Sequence, residues 1–317
     1  ALRSATGVTL DSGTALTIDD DNAGTALSDT DVQAIATTPA NYKTATLGGA
    51  SVTVKSDAAL NITSTMADNL RTDSIALDGA TAITIAADTS GTVLADGDAR
   101  TLATNAANYT TGNLGGASVT LKSDAALNLT TAQADALRTN TVALDSGTAI
   151  TLDDDGAGTA IADATIQGLT LGNYTTGNLG GASVTIKTDG AINLTTAQAD
   201  ALRTNTVALD SSAAITLDDD GAGTAIADAT IQGLTYSDYT TSDLGGASVT
   251  IKGDGTLSLS KTQADALVSA GVKIDSGTAI TVDDDASGTA IADATVQGLT
   301  FGDYATTSLG GSGVVIK

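Results

Sequence analysis

Short segments in which apolar and polar residues alternate recur along the whole chain, each followed by a stretch with a different rhythm. Ser183-Val184-Thr185-Ile186-Lys187 alternates, a Thr-Asp-Gly tripeptide interrupts it, and Ala191-Ile192-Asn193-Leu194 alternates again. Alternation rich in β-branched residues predicts a half-buried strand, and two such segments around a Gly-containing turn predict a hairpin. Val184, Ile186, Ile192 and Leu194 form the expected inward set. The companion phrase TVALD-SGT-AITLDDD has the same form.

The stretches after these paired segments read as helical. Thr195-Thr196-Ala197-Gln198 has capping-box spacing, in which the Thr hydroxyl accepts from the Gln amide. Thr130 with Gln133 and Ser260 with Gln263 repeat the device, whereas Met66 takes the Gln position in the first copy and weakens it. A shorter helix is expected over residues 162–169, Ala-Asp-Ala-Thr-Ile-Gln-Gly-Leu.

These phrases belong to one unit written five times. Ala1-Leu2-Arg3 returns as Asn69-Leu70-Arg71, Ala136-Leu137-Arg138, Ala201-Leu202-Arg203 and Ala266-Leu267-Val268, at spacings of 68, 67, 65 and 65 residues. The repeats are 1–68, 69–135, 136–200, 201–265 and an incomplete 266–317. A half-unit of about 30 residues cannot bury its own apolar face, but stacking it on a neighbour can. The expected fold is therefore a β-rich tandem repeat, a solenoid-like rod of stacked β-hairpins with one short helix or helical turn per half-repeat. Neither end carries an atypical polar capping unit, so continuation of the array or head-to-tail contact between copies is expected.

Composition narrows the chemistry. Among 317 residues there is no Cys, His or Trp and a single Phe, while apolar residues still make up 41%. A narrow core of small and branched side chains fits these numbers. Disulfides, thiolate and imidazole chemistry are excluded. A formal charge of −24 repels nucleic acid and attracts divalent cations. No apolar run reaches the roughly 20 residues of a membrane span. Phosphate-loop, serine-elbow and metalloprotease motifs are missing, and no enzymatic role is expected.

The sharpest chemical feature is an acidic loop, Asp19-Asp20-Asp21, Asp153-Asp154-Asp155, Asp218-Asp219-Asp220 and Asp283-Asp284-Asp285, each followed two residues later by Gly-Thr. In extended backbone the first and third carboxylates point the same way. Asp19 with Asp21, Asp153 with Asp155, Asp218 with Asp220 and Asp283 with Asp285 are thus candidate calcium ligands, with loop carbonyls completing the shell. Asp145 or Asp163 could add another carboxylate. The alternative reading is a solvated acidic turn. Ala86-Ala87-Asp88 fills this place in the second repeat, where any site is lost or weakened. Tyr42, Tyr109, Tyr174, Tyr239 and Tyr304 each stand five residues before Leu-Gly-Gly, and the ring is expected to plug its loop while Gly-Gly allows close backbone approach.

The phrases LTTAQADALRTN, VALDSGTAITLDDD and LGGASVTIK resemble the tandem repeat regions of very large bacterial extracellular and surface proteins, such as adhesin stalks and surface-layer-like repeats. The resemblance lies in style and composition over the whole chain. It implies export, a structural or adhesive role and often calcium-dependent rigidity. Two functions follow as expectations: an extracellular fibre or surface layer built by head-to-tail stacking, or a calcium-rigidified adhesin spacer presenting a binding domain elsewhere.

Overall fold

The structure is a computed structural model that describes residues 9–317. Along the chain run β1 (Ala15–Ile18), α1 (Asp29–Thr37), α2 (Thr44–Leu47), β2 (Ser51–Val54), β3 (Ala59–Thr63), α3 (Ser64–Thr72), β4 (Ile75–Leu77) and β5 (Ala82–Ala86). The pattern continues with α4 (Asp96–Thr104), α5 (Thr111–Leu114), β6 (Ser118–Leu121), β7 (Ala126–Thr130), α6 (Thr131–Thr139), β8 (Val142–Leu144) and β9 (Ala149–Asp153). Next come α7 (Asp163–Gln167), α8 (Thr176–Leu179), β10 (Ser183–Ile186), β11 (Ala191–Thr195), α9 (Thr196–Asn205), β12 (Val207–Leu209) and β13 (Ala214–Asp218). The last repeats add α10 (Asp228–Gly233), α11 (Thr241–Leu244), β14 (Ser248–Ile251), β15 (Thr256–Ser260), α12 (Lys261–Ala270), β16 (Lys273–Ile274) and β17 (Ala279–Asp283). They end on α13 (Asp293–Gln297), α14 (Thr306–Leu309) and β18 (Gly313–Ile316).

Two compact units divide the chain: residues 1–157 with 173–183, and residues 158–172 with 184–317. The first holds a three-stranded sheet ordered β1-β2-β4, a four-stranded sheet ordered β3-β5-β6-β8, and the parallel pair β7 and β9. The second holds β10 beside β12, a four-stranded sheet β11-β13-β14-β16, and a three-stranded sheet β15-β17-β18.

The expected solenoid-like rod of stacked β-hairpins is not what forms. Every strand pair given a register is parallel, and the architecture is a repeated α/β arrangement. Ser183–Ile186 and Ala191–Thr195, which the sequence joins as a hairpin, lie in different sheets. β10 pairs with β12, with Val184 opposite Val207 and Ile186 opposite Leu209. β11 pairs with β13 from Ala191↔Ala214 to Thr195↔Asp218. Parallel neighbours need a long crossover, and the helix between β11 and β12 supplies it.

The link between β10 and β11 is held open by side chains. Thr188 donates through its backbone N–H and its hydroxyl to Asp210 Oδ1, at 3.0 and 2.8 Å. Ser123 with Asp145, and Gly253 with Asp275, repeat the anchor. Each tie fastens the corner between two strands to the corner 22 residues further on. The chain therefore passes into the next sheet rather than folding back.

The alternating pattern does place the core correctly. Val184, Ile186, Ile192 and Leu194 are all buried, as are their counterparts in the other interior strands. β1 and β18 differ: Leu16 and Ile18 in the first, Val314 and Ile316 in the last, are only half-buried.

The change of period falls in the segment that opens with the helix after the acidic loop. That helix has nine residues in α1 and α4, but five in α7 and α13 and six in α10. The two-residue difference between the 67- and 65-residue spacings lies in the helix and its link to the following Tyr together, Ala95 to Tyr109 against Ala162 to Tyr174.

Candidate functional site

The acidic loops separate the carboxylates that the sequence pairs. Asp218, the last residue of β13, is buried, while Asp220 lies on the surface. Asp153 with Asp155 and Asp283 with Asp285 divide in the same way, and Asp19 is half-buried beside exposed Asp21.

Each carboxylate is occupied by its own loop. Asp218 Oδ1 accepts from the N–H of Gly221, and its Oδ2 accepts from Gly223 N–H at 2.6 Å. Asp283 uses Ala286 and Gly288, and Asp19 uses Asn22 and Gly24. Asp153 accepts from Gly156 N–H. The third aspartate closes the far side: Asp220 accepts from the N–H groups of Ala222 and Thr224 and from the Thr224 hydroxyl at 2.6 Å. Asp21 with Thr25 and Asp285 with Thr289 do the same, and Asp155 accepts from Ala157 N–H. These donors hold Asp21, Asp220 and Asp285 below the usual carboxylate range, the Thr hydroxyl being the largest cause.

The second repeat shows how much of this the loop needs. Ala86 replaces the first aspartate, yet Ala87 N–H still donates to Thr92 O at 2.9 Å, as Asp219 N–H donates to Thr224 O. Asp88 supplies the remaining acceptor for Ser90 and Thr92. Among the described residues, no group of three or more acidic side chains is placed to hold a metal ion. Asp145, a candidate extra ligand, instead accepts from Thr148 at 2.7 Å and faces Lys122 at 3.5 Å.

Four of the five recurring tyrosines are core residues, and Tyr42 is half-buried. Tyr109, Tyr174, Tyr239 and Tyr304 are each 4–5% exposed. The Tyr174 hydroxyl donates to Asp135 of α6 at 3.3 Å, and Tyr304 donates to Asp265 of α12. Burial, with the neighbouring aspartate second, pushes Tyr109 and Tyr239 up to about 12. The Leu-Gly-Gly that follows brings two backbones together. A Cβ on Gly245 would lie 2.0 Å from Leu209 O, and its φ is +77°, so only glycine fits.

Sequence reasoning missed the seam that joins successive half-repeats. The capping boxes at Thr130, Thr195 and Ser260 form as expected, with Gln133, Gln198 and Gln263 returning their Oε1 atoms to the cap N–H. The other end of each Gln reaches out of its helix. Gln198 Nε2 donates to Gln167 O at 2.9 Å, and Gln263 Nε2 to Gln232 O at 2.8 Å. Gln133 Nε2 meets Arg100 O at 3.3 Å.

A second Gln series continues the connection. Gln167 Nε2 donates to Asn193 O at 2.7 Å and Gly221 O at 2.8 Å. Gln232 Nε2 donates to Ser258 O at 2.7 Å and Ala286 O at 3.4 Å. Gln33 contacts Asn61 O and Thr89 O in the same way. The only advance signal was the Gln in Ile-Gln-Gly-Leu, a polar residue at a constant place in a short helix.

The chemistry-bearing groups thus act on one another: carboxylates close loops, tyrosines bind helices, and glutamines join half-repeats. No family model matches the chain, and neither a curated protein nor a solved structure matches it. No helix among the described residues is long and apolar enough to cross a membrane.

Proposed function

We propose that this chain is a structural element of a bacterial extracellular fibre or surface layer, working by repetition and self-association rather than by catalysis. The observation that carries the reading is the glutamine seam, in which the same side chains bond the same backbone atoms at successive junctions. Stability in such an array resides in each junction, so length can grow without a new solution at every step. The resemblance to bacterial surface repeats and the acidic composition support export to the cell exterior.

The acidic loops read best as self-capped turns. Backbone N–H groups and Thr hydroxyls already occupy their carboxylate oxygens, so this reading assigns no cation to the folding of the loop. Calcium-dependent rigidity belongs to the second reading, an adhesin spacer, and is favoured less by this geometry. Negative-stain electron microscopy of the concentrated chain separates the two: filaments with a regular axial period support the fibre, and isolated particles at every concentration count against it.

A further inference from the structure

We propose that the cavity beside Val268 of α12 is a binding site for a guanidinium cation, held by Asp303 and Asp265 in the place that an arginine of the chain itself takes in earlier copies. The site lies wholly within residues 261–304 and needs no second copy of the chain.

The earlier copies show the cation in place. Arg71 of α3, Arg138 of α6 and Arg203 of α9 each follow an aspartate of the same helix by three residues, with Nη2 at 3.4, 3.3 and 3.5 Å from Asp68, Asp135 and Asp200. Arg203 also reaches Asp238 of the following loop, at 3.6 Å. The Tyr239 hydroxyl donates to the same Asp200. One guanidinium thus stands between a carboxylate of the helix and a carboxylate of the loop.

The next copy keeps the carboxylates and drops the arginine. Asp265 and Asp303 occupy the positions of Asp200 and Asp238, and Tyr304, buried like Tyr239, donates to Asp265. Val268 replaces Arg203, and a cavity of about 320 Å³ opens there, with Lys261, Asp265, Val268, Leu299, Asp303 and Tyr304 in its walls. Small-molecule pockets begin at roughly 300 Å³. The loop wall is the same in both copies, Leu299 being half-buried as Leu234 is, and the difference lies in the residue on α12.

Lys261 restores one positive charge but not the arrangement. Its ammonium lies 2.6 Å from Asp265 Oδ2. Among the described residues Asp303 has no ion-pair partner, whereas Asp238 has Arg203. The vacated space also selects the cation. Guanidinium is planar, weakly hydrated and donates in a fork, so Val268 and Leu299 cover its face while the carboxylates take its edge. A compact, strongly hydrated ammonium gains nothing from that apolar wall.

The test measures fluorescence anisotropy of a labelled, end-capped Ala-Arg-Ala peptide with the full chain, in competition with methylguanidinium and methylammonium. Val268→Arg supplies the chain's own guanidinium, and Asp303→Asn removes the exposed carboxylate. Both variants should keep the parent's circular dichroism, the first because it restores the residue of earlier copies. The expected result is saturable binding of one peptide per chain, abolished by Val268→Arg and weakened about tenfold or more by Asp303→Asn. Methylguanidinium should displace the peptide at a concentration about tenfold lower than methylammonium. Displacement by methylguanidinium as effective as by unlabelled peptide assigns the site to free guanidino compounds, and much weaker displacement assigns it to the arginine side chain of a partner. Absent binding, equal competition by methylammonium, or unchanged binding to either folded variant overturns the proposal. Should Val268→Arg fail to fold, Asp303→Asn decides alone.

Discussion

Gln198 works at both ends: its Oε1 accepts from Thr195 N–H at 2.8 Å, and its Nε2 donates to Gln167 O at 2.9 Å. One side chain thereby starts α9 and fastens it to α7. Replacing it with Ala removes a cap acceptor and a donor to the neighbouring half-repeat together, a loss of about 1–2 kcal/mol. Gln198→Met should cost nearly as much, although Thr63 still accepts from Met66 N–H in the first repeat, because the seam bond goes with the amide. Denaturant unfolding of both variants checks this, and a change confined to the Ala variant would show that the seam contributes nothing.

Thr206 closes α9 at φ 54°, a left-handed conformation that a β-branched residue adopts at a cost. Thr141 and Ser74 hold the same position in earlier repeats, and Gly271 fills it in the last. Thr206→Gly should therefore stabilise the protein by about 1 kcal/mol, measured as a raised denaturation midpoint. Gly271→Thr should lower the midpoint by a similar amount.

Two sets of aspartates give opposite pH dependence. Burial, followed by the charge of a second aspartate, raises Asp29, Asp163 and Asp228 above the usual range; the second groups are Asp57, Asp189 and Asp254. A raised carboxyl binds protons more tightly folded than unfolded, so it destabilises at neutral pH and the penalty fades as pH falls through its folded value. The loop residues Asp21, Asp220 and Asp285 are lowered, and their contribution is lost only on deeper acidification. The melting temperature should rise slightly on mild acidification and then fall. Asp228→Asn should melt at or above the parent at pH 7 and flatten the rising limb, which a pH series of melting curves would reveal.

Since the acidic loops close on their own N–H and hydroxyl donors, calcium and chelator should leave the melting temperature unchanged. A fall of several degrees with chelator would mean that a cation binds the folded form, and would restore the spacer reading. Asp218→Ala offers a second check. It strips acceptors from Gly221 and Gly223 and should cost about 1–3 kcal/mol whether or not calcium is present.

The sequence was a reliable guide to which residues face inward and a poor one to which strands meet. Val184, Ile186, Ile192 and Leu194 are buried because alternation fixes the face of a strand directly. Alternation does not choose a partner, and the Thr-Asp-Gly link resembles a hairpin turn until Asp210, 22 residues from Thr188, captures it. The same limit applies to the acidic loop. Carboxylate spacing suggested convergence of Asp218 and Asp220, but one terminates a buried strand face and the other begins an exposed turn. The cap role of Gln198 was legible because it lies three residues from Thr195. Its bond to Gln167 spans 31 residues and depends on how half-repeats pack, which local pattern does not encode.

The most direct measurement of the central claim is sedimentation velocity of the purified chain over a wide concentration series. Open-ended association through one repeating contact predicts a weight-average sedimentation coefficient that climbs with concentration without reaching a plateau. A single monomeric species across the whole series would contradict the account.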